Sequence, residues 1–344
     1  MSSRPSLRSS ASRFLSAIYI PICFSLRGVF LMIEQLFILG NGFDMAHRLP
    51  TGYEDFVDYI KREDAPDDEK TLLDFLIHYI GEPFYDGDFL WKDFENELGE
   101  ADFSQDISNA EYREDQLYDD ADKDPDYYAY QAIAPLSTIE HIAASLPYIF
   151  ERWIRTVDID KAKPIENFRR LIRQNQAAFL TFNYTKTLEE IYRENHVKHI
   201  HGAIDGENIL VGHGNHLDRV HTYEEDKMNP LTELSSIDDI NYTLRSADAA
   251  YNSWSKNIKQ NIIRNADYFA SLETYDIKEV YSFGFSYNDI DMPYIKIIID
   301  GLRNPYNVKW IFSDYNEDDN QKCEKILRNN DFKGTFARFH SSDD

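Results

Sequence analysis

The sequence predicts an α/β fold in which helices cover both faces of a mostly parallel sheet. Short apolar, β-prone runs recur along the chain and begin with Gln35 to Leu39. Helical apolar spacing separates several of these runs, and strands that alternate with helices are typical of parallel sheets. After the first run, about 135 residues read as helical, which predicts a large helical insertion at about 60–175.

The later elements are predicted from the same two signals, which are short apolar runs for strands and helical apolar spacing for helices. The remaining apolar runs are only three to five residues long, a length that suits strands better than helices. The predicted strands are Ala178 to Phe182, Val197 to Ile200, Ile209 to Val211, Glu279 to Phe283 and Val308 to Phe312. The predicted helices include Leu72 to Ile80, Ile139 to Ile154, Thr187 to Glu194, Asp291 to Leu302 and Glu317 to Asn329.

Charge and cysteine content exclude some classes of function. The chain has 344 residues, with 36 basic and 61 acidic side chains and a formal charge of −25. Such a field repels phosphate backbones, so broad nucleic-acid binding is not expected. The two cysteines, Cys23 and Cys323, can form neither a disulfide framework nor a four-cysteine zinc site. A cytoplasmic location is therefore expected.

Residues 1–31 differ from the rest of the chain, because they hold four arginines and no acidic residue. Their apolar stretch, Phe14 to Phe24, is shorter than the ~20 residues of a membrane-spanning helix. A targeting segment is one interpretation. We favour another, in which Met32 is the true start and residues 1–31 are a non-native or disordered extension. Residues 32–344 then form a single α/β domain, and no membrane association is expected.

Two polar segments interrupt the predicted elements. Residues 101–126 contain ten acidic and two basic side chains, which predicts a solvated surface segment, with a partner-binding acidic arm as the alternative. Residues 216–250 are polar and of mixed charge, and they predict a surface excursion.

The first predicted strand ends in Gly40-Asn41-Gly42, at the edge where a parallel sheet binds ligands. Glycines there let the backbone turn tightly and bring its amides close to a phosphate, although such turns also use glycine for steric reasons. Asp44 and His47 follow at the same edge and suit a ligand-binding cleft. In the alternative interpretation, Asp44 caps a helix and His47 pairs with it.

Two later strands deliver polar residues to the same predicted edge. The first is followed by Asn183 and Thr185, and an amide at this point can hold a ribose hydroxyl. The second ends in His201-Gly202, where the histidine can act as a general base near neutral pH. Each feature alone also fits an ordinary turn residue.

The strand at Glu279 to Phe283, near the carboxyl end of the chain, is also followed by small and polar residues. Gly284 and Ser286 follow it and could grip a phosphate, whereas Asp289 is equally suited to cap a helix. Four separate strands therefore deliver small or polar residues to one edge, and this coincidence predicts a functional site there.

A metal site is an alternative interpretation of the histidine-rich part of the chain. Six of the ten histidines lie close together in sequence, namely His196, His199, His201, His213, His216 and His221. Their spacings, together with Asp289 and Asp291, are compatible with a divalent metal in a hydrolase or nuclease. Such short spacings often arise by chance, and no metal ligand is assigned.

These motifs together resemble the AbiH family of bacteriophage abortive infection proteins. The matching segments are GNGFDMAHRLPTGYEDF from Gly40, LWKDFENELG from Leu90, FLTFNYTKTLEEIY from Phe179, HIHG from His199 and FGFSYNDID from Phe283. The resemblance adds Trp91, Glu95 and Glu97, which spacing alone does not single out. It implies a role in defence against phage.

A more distant likeness, to sirtuin-like NAD-handling proteins, implies a Rossmann-like sheet with a nucleotide pocket. The matching positions are the dinucleotide-binding turn Gly40-Asn41-Gly42, the ribose-side Asn183, the catalytic His201 and the phosphate-side Gly284 and Ser286. The sequence differs from the sirtuin pattern in three ways, which argue against protein deacylation or leave the reaction open. The zinc ribbon is absent, Thr185 stands where an aspartate is expected, and no arginine follows Asp55-Phe56.

The resulting hypothesis is a defence protein that binds NAD or a related nucleotide and hydrolyses its N-glycosidic bond. Its phage- or host-derived trigger is not specified by the sequence. The predicted catalytic residues are His201, Asn183, Asp44 and Glu95. The predicted cofactor-binding residues are Gly40, Asn41, Gly42, His47, Thr185, Gly202, Gly284, Ser286 and Asp289. The alternatives are a metal-dependent hydrolase and a non-catalytic nucleotide sensor, and assembly into a homo-oligomer is left open.

Overall fold

The computed structural model describes residues 33–80, 91–101, 125–173, 176–206, 209–215 and 245–342. The predictions for residues 1–31, and most of those for the polar segments at 101–126 and 216–250, lie outside these ranges. Within them, no helix combines the length and the apolar character that a membrane span requires.

One parallel sheet forms the centre of the fold. Its six strands are β1 (Gln35–Leu39), β2 (Ala177–Thr181), β3 (Val197–His199), β4 (Glu279–Phe283), β5 (Lys309–Ser313) and β6 (Thr335–Phe339). Their order is β3-β2-β1-β4-β5-β6, and all neighbours are parallel. The predicted α/β class with a mostly parallel sheet is confirmed, and this order is that of the Rossmann fold. The topological switch point, where such sheets bind ligands, lies between β1 and β4.

Helices fill the connections between the strands. Their bounds are Asn41–Ala46, Tyr53–Lys61, Asp67–Ile80, Trp91–Glu100, Pro125–Ile154, Glu166–Arg173, 245–253, Ile258–Arg264, Ala266–Thr274, Met292–Gly301 and Glu317–Asn329. Short 3-10 turns occur at Ile159–Lys161 and Pro305–Asn307. The segment after β2 forms a π-helical stretch, Leu188–Tyr192, in place of the longer predicted helix.

Two differences from the predicted strands have physical causes. Ile209 to Val211 forms no strand, because Ile209 and Val211 are buried in an apolar cluster that the helices between β1 and β2 largely build. Tertiary packing overrides β-propensity there. The sequence does not predict β6, because this edge strand is only half-buried and shows weak apolar alternation.

β1 lies in the middle of the sheet and is buried on both faces. Leu36 and Ile38 point into one apolar cluster, and Phe37 and Leu39 point into another. The ring of Phe37 stacks on Tyr281 of β4 with 4.7 Å between ring centres. A slip by one residue would exchange the two faces. The register, and with it the alignment of the carboxyl ends of the strands, is therefore firmly fixed.

Candidate functional site

Polar and ionisable side chains follow four neighbouring strands at the carboxyl edge of the sheet. Asp44 follows β1, and Asn183 follows β2. His201 follows β3, and Asp291 follows β4. Because these strands are adjacent and parallel, residues far apart in sequence reach the same edge. They form two separate clusters, one around Asp44 and one around His201 and Asp291.

The two glycine turns at the switch point pack directly on each other. The Gly40 N–H donates to the Phe283 carbonyl at 3.1 Å, and the Gly42 N–H donates to the Gly284 carbonyl at 3.0 Å. Gly284 has a φ of 64°, and a Cβ there would lie 2.3 Å from the carbonyl carbon of Gly42. Only glycine fits this contact without strain. The amides of Gly40 and Gly42 are thus hydrogen-bonded to the other turn, and the phosphate-binding role of these two glycines stays a prediction.

Asp44 is buried and accepts two hydroxyl hydrogen bonds. Thr185 Oγ1 donates to its Oδ2 at 2.5 Å, and Thr187 Oγ1 donates to its Oδ1 at 2.8 Å. Burial raises the pKa of Asp44 to about 6, although these hydrogen bonds favour the ionised form. The interpretation of Asp44 as a helix cap is wrong, because Gly40 is the N-cap residue of the helix Asn41–Ala46.

His199 links the Asp44 cluster to the end of β3. Its Nδ1 is hydrogen-bonded to the Asn183 carbonyl at 2.8 Å, and its Nε2 to the Glu189 carboxylate at 2.8 Å. Glu189 is placed by the π-helical stretch, a feature that often marks functional sites. The space that these residues line with Asp44 is about 150 Å³, open solvent included, and it leaves no room for a water molecule. Small-molecule sites usually start at about 300 Å³, so the cavity is too small for a nucleotide.

The second cluster, which we call the ionic cluster, joins four side chains from four distant segments: Glu95, Lys256, Asp291 and His201. Lys256 Nζ lies 2.6 Å from Glu95 Oε1 and 3.9 Å from Asp291 Oδ1. Asp291 Oδ1 lies 3.3 Å from His201 Nε2. The side chains of Lys256 and His201 are 2% exposed, and those of Glu95 and Asp291 are 10% and 11% exposed. All four are therefore largely removed from water.

Burial and mutual charge set the protonation states in the ionic cluster. Burial raises the pKa of Glu95 to about 7, against the opposing effect of Lys256. Burial also disfavours ionisation of Asp291, but the charges of Lys256 and His201 outweigh it and lower the pKa of Asp291. Burial and the Lys256 charge lower the pKa of His201. At neutral pH, Asp291 is therefore ionised and His201 neutral, and Glu95 is close to its midpoint.

Local contacts hold the members of the ionic cluster in place. Glu95 lies on a helix whose Gly99 carbonyl accepts a hydrogen bond from the Tyr251 hydroxyl at 2.9 Å. Lys256 follows Trp254, which is fully buried. Burial disfavours the charged form of Lys256, but the two neighbouring carboxylates outweigh it and raise its pKa. The lysine is therefore a fixed internal cation.

Asp291 is the N-cap residue of the helix Met292–Gly301, yet its side chain makes no cap hydrogen bond. Its carboxylate instead lies against His201 and Lys256. Sequence reasoning names Asp291 only as an accessory metal ligand, and nothing in the local sequence around Lys256 singles that lysine out. The position of Lys256 beside Glu95 and Asp291 depends on contacts that only the folded chain creates.

The structure divides the predicted catalytic residues between the two clusters. Asp44 and Asn183 lie in the first, whereas Glu95 and His201 lie in the ionic cluster. Among the predicted cofactor-binding residues, Thr185 belongs to the Asp44 cluster. Gly202 is buried directly after His201 with a φ of 82°, and Asn41 is half-buried in the first glycine turn. Ser286 and Asp289 are exposed. The functional roles of all these residues stay predictions.

His47 is a buried residue of the apolar core. Its Nδ1 is hydrogen-bonded to the Phe43 carbonyl at 2.7 Å, and its Nε2 to the Tyr192 hydroxyl at 2.6 Å. Burial lowers its pKa, so the ring is neutral at pH 7. The interpretation of His47 as a partner of the Asp44 side chain is therefore wrong.

The histidines do not converge on one point. His199 belongs to the Asp44 cluster and His201 to the ionic cluster, whereas His213 Nε2 is hydrogen-bonded to the Tyr251 carbonyl. Among the described residues, no group of three or more His, Cys, Asp or Glu side chains is arranged to hold a metal ion. The predicted candidates His216 and His221 lie outside these residues.

The fold and the site together define an α/β protein with a Rossmann-like sheet and a buried ionic cluster at the carboxyl edge of that sheet. The family model described as bacteriophage abortive infection AbiH matches residues 36–314, a range that includes both clusters. The chain therefore belongs to the AbiH family. Membership suggests a role in abortive infection. No curated protein and no solved structure matches the chain, and the sirtuin-like resemblance stays a prediction.

Proposed function

We propose that this chain is a phage-defence protein that binds NAD or a related nucleotide and hydrolyses its N-glycosidic bond when infection activates it. The observation that carries the proposal is the ionic cluster, which lies at the carboxyl edge of a sheet with Rossmann strand order. Buried charges reduce stability unless they are well paired. A cluster with two carboxylates, one lysine and one histidine is therefore more typical of a functional site than of a structural core.

The chemistry of the two clusters suits this reaction. Hydrolysis of an N-glycosidic bond requires a base for water and stabilisation of positive charge on the ribose. His201 is neutral at pH 7 and can accept a proton from water. Glu95, when ionised, offers negative charge to the ribosyl cation. Asn183 and Asp44 offer amide and carboxyl groups to ribose hydroxyls at the neighbouring strand ends.

In this proposal, the protein has a closed and inactive resting form, because the space at this edge of the sheet is small. A nucleotide does not fit into a space that leaves no room for a water molecule, so we propose that this edge opens on activation. A closed site also suits the suggested biology, because constant cleavage of NAD would harm an uninfected cell.

The proposal is tested by following NAD during incubation of purified protein with lysate from infected cells. The wild type should consume NAD, and His201→Ala and Glu95→Gln should each lower the rate at least tenfold. Matched controls are His141→Ala and Glu100→Gln, which change exposed residues of the same types. Their rates should equal that of the wild type.

Two results would contradict the proposal. Intact NAD under every condition, with no NAD binding by calorimetry, would remove nucleotide chemistry altogether. NAD binding without turnover, together with plaque protection that survives His201→Ala, would instead identify a non-catalytic sensor.

A further inference from the structure

We propose that Asp291 is a further catalytic residue, which holds the attacking water together with His201, and that Lys256 is the positioning residue for both carboxylates. The inference rests on the proposed N-glycosidic hydrolysis and adds to it the residues that bind the nucleophile. In this arrangement, Asp291 and His201 bind the water on one side of Lys256, and Glu95 lies on the other side.

The water site follows from two buried atoms without hydrogen bonds. His201 Nε2 and Asp291 Oδ1 lie 3.3 Å apart but form no well-aligned hydrogen bond with each other, and neither atom has another hydrogen-bond partner among the described residues. Buried polar atoms normally satisfy their hydrogen-bonding capacity with protein or with ordered water. A single water that lies beside both atoms would donate one hydrogen to each, because ionised Asp291 is an acceptor and neutral His201 accepts at Nε2 when its proton is on Nδ1. Such a water is oriented and polarised for attack.

Lys256 fixes this arrangement. Its Nζ lies 2.6 Å from Glu95 and 3.9 Å from Asp291. Two buried carboxylates repel each other, and the ammonium between them offsets that repulsion. The same charge helps to keep Asp291 ionised and His201 neutral. Lys256 itself is held by its backbone, whose N–H donates to the His213 carbonyl at 2.9 Å.

The reaction step balances with water as the only co-reactant. The water oxygen forms a bond to the anomeric carbon while the carbon–nitrogen bond breaks and its electron pair stays on the leaving nitrogen. One proton of the water passes to His201 Nε2 and then to solvent. With NAD, the products are ADP-ribose, nicotinamide and a proton. The Asp291 carboxylate stabilises the positive charge on the ribose and then on the imidazolium.

The pH profile tests these roles because two substitutions should shift it in opposite directions. The titratable groups in and around the cluster are Asp291, His201, Lys256, Glu95, Tyr184 and Tyr294. Burial, the largest cause, raises the pKa of both tyrosines, which stay neutral below pH 8. Asp291 raises the pKa values of both His201 and Glu95, whereas Lys256 lowers both. The acid limb of the rate should therefore respond to both neighbours.

The experiment measures NAD hydrolysis between pH 4.5 and 8 for wild type, Asp291→Asn, Lys256→Gln and the control Asp300→Asn, which changes an exposed aspartate. Asp291→Asn should lower kcat about 100-fold and move the acid limb to lower pH. Lys256→Gln should move it to higher pH, in each case by about one unit. Asp300→Asn should behave like the wild type. Circular dichroism confirms that each variant is folded.

The outcomes separate the two proposals. An inactive wild type overturns both the proposed function and this inference. An active wild type, together with an Asp291→Asn rate within threefold of the control or an unmoved acid limb in both variants, overturns this inference alone. If Asp291→Asn does not fold, Asp291→Glu provides the test. It keeps the charge and the acid limb but should lose rate at least tenfold, and an unchanged rate would refute the role of Asp291.

Discussion

Replacement of Asp44 by Asn removes a buried carboxyl group whose ionisation destabilises the folded chain. Burial raises the pKa of Asp44 from 3.8 to about 6. The folded protein therefore binds this proton more tightly than the unfolded chain does, and the free energy of unfolding falls as the pH rises from about 4 to about 6. A shift of about two units, at about 1.36 kcal/mol per unit, corresponds to about 3 kcal/mol in total.

Urea unfolding at several pH values measures this effect. Between pH 4.5 and 7.5, the wild type should lose about 2 kcal/mol of stability relative to Asp44→Asn, because about 1 kcal/mol of the total is already lost at pH 4.5. The amide keeps one oxygen as an acceptor for Thr185 or Thr187. The exposed control, Asp74→Asn, should follow the wild type. Parallel profiles for wild type and Asp44→Asn would show that Asp44 is not desolvated in the folded state.

Two further substitutions test the packing around the site by denaturant unfolding. Gly284→Ala should lower the free energy of unfolding by about 3 kcal/mol or more, because Gly284 has a φ of 64° and a Cβ would lie 2.3 Å from Gly42. Gly301→Ala, which meets only a flexible side chain, should change it by less than about 0.5 kcal/mol, and equal losses would refute the contact between the turns. Tyr192→Phe should cost about 1–3 kcal/mol, because it removes the hydroxyl bonded to buried His47; an unchanged stability would contradict that contact.

Much of the fold could be predicted because apolar periodicity is a local property. β4 and the helix Glu317–Asn329 have the predicted bounds, and β2 and β5 differ from theirs by one residue at each end. Ile209 to Val211 has the same local signal but packs among helices, since a short apolar run does not specify whether it pairs with a strand.

The candidate site was less predictable. The polar residues at the strand ends are visible in the sequence, and the family resemblance singled out Glu95. Lys256 has no local signal, because it lies between a serine and an asparagine in a polar stretch. Only its distances to Glu95 and Asp291 show that it is an internal cation.

The sequence by itself determined the α/β class, most of the strands and the family. These depend on short-range patterns of apolar, glycine and polar residues along the chain. The tertiary structure alone decided that the polar residues divide into two clusters, that the glycine turns close on each other and that Lys256 lies between two carboxylates. Each of these features depends on contacts between segments far apart in sequence, and the free energies of burial and charge pairing arise only when those segments meet.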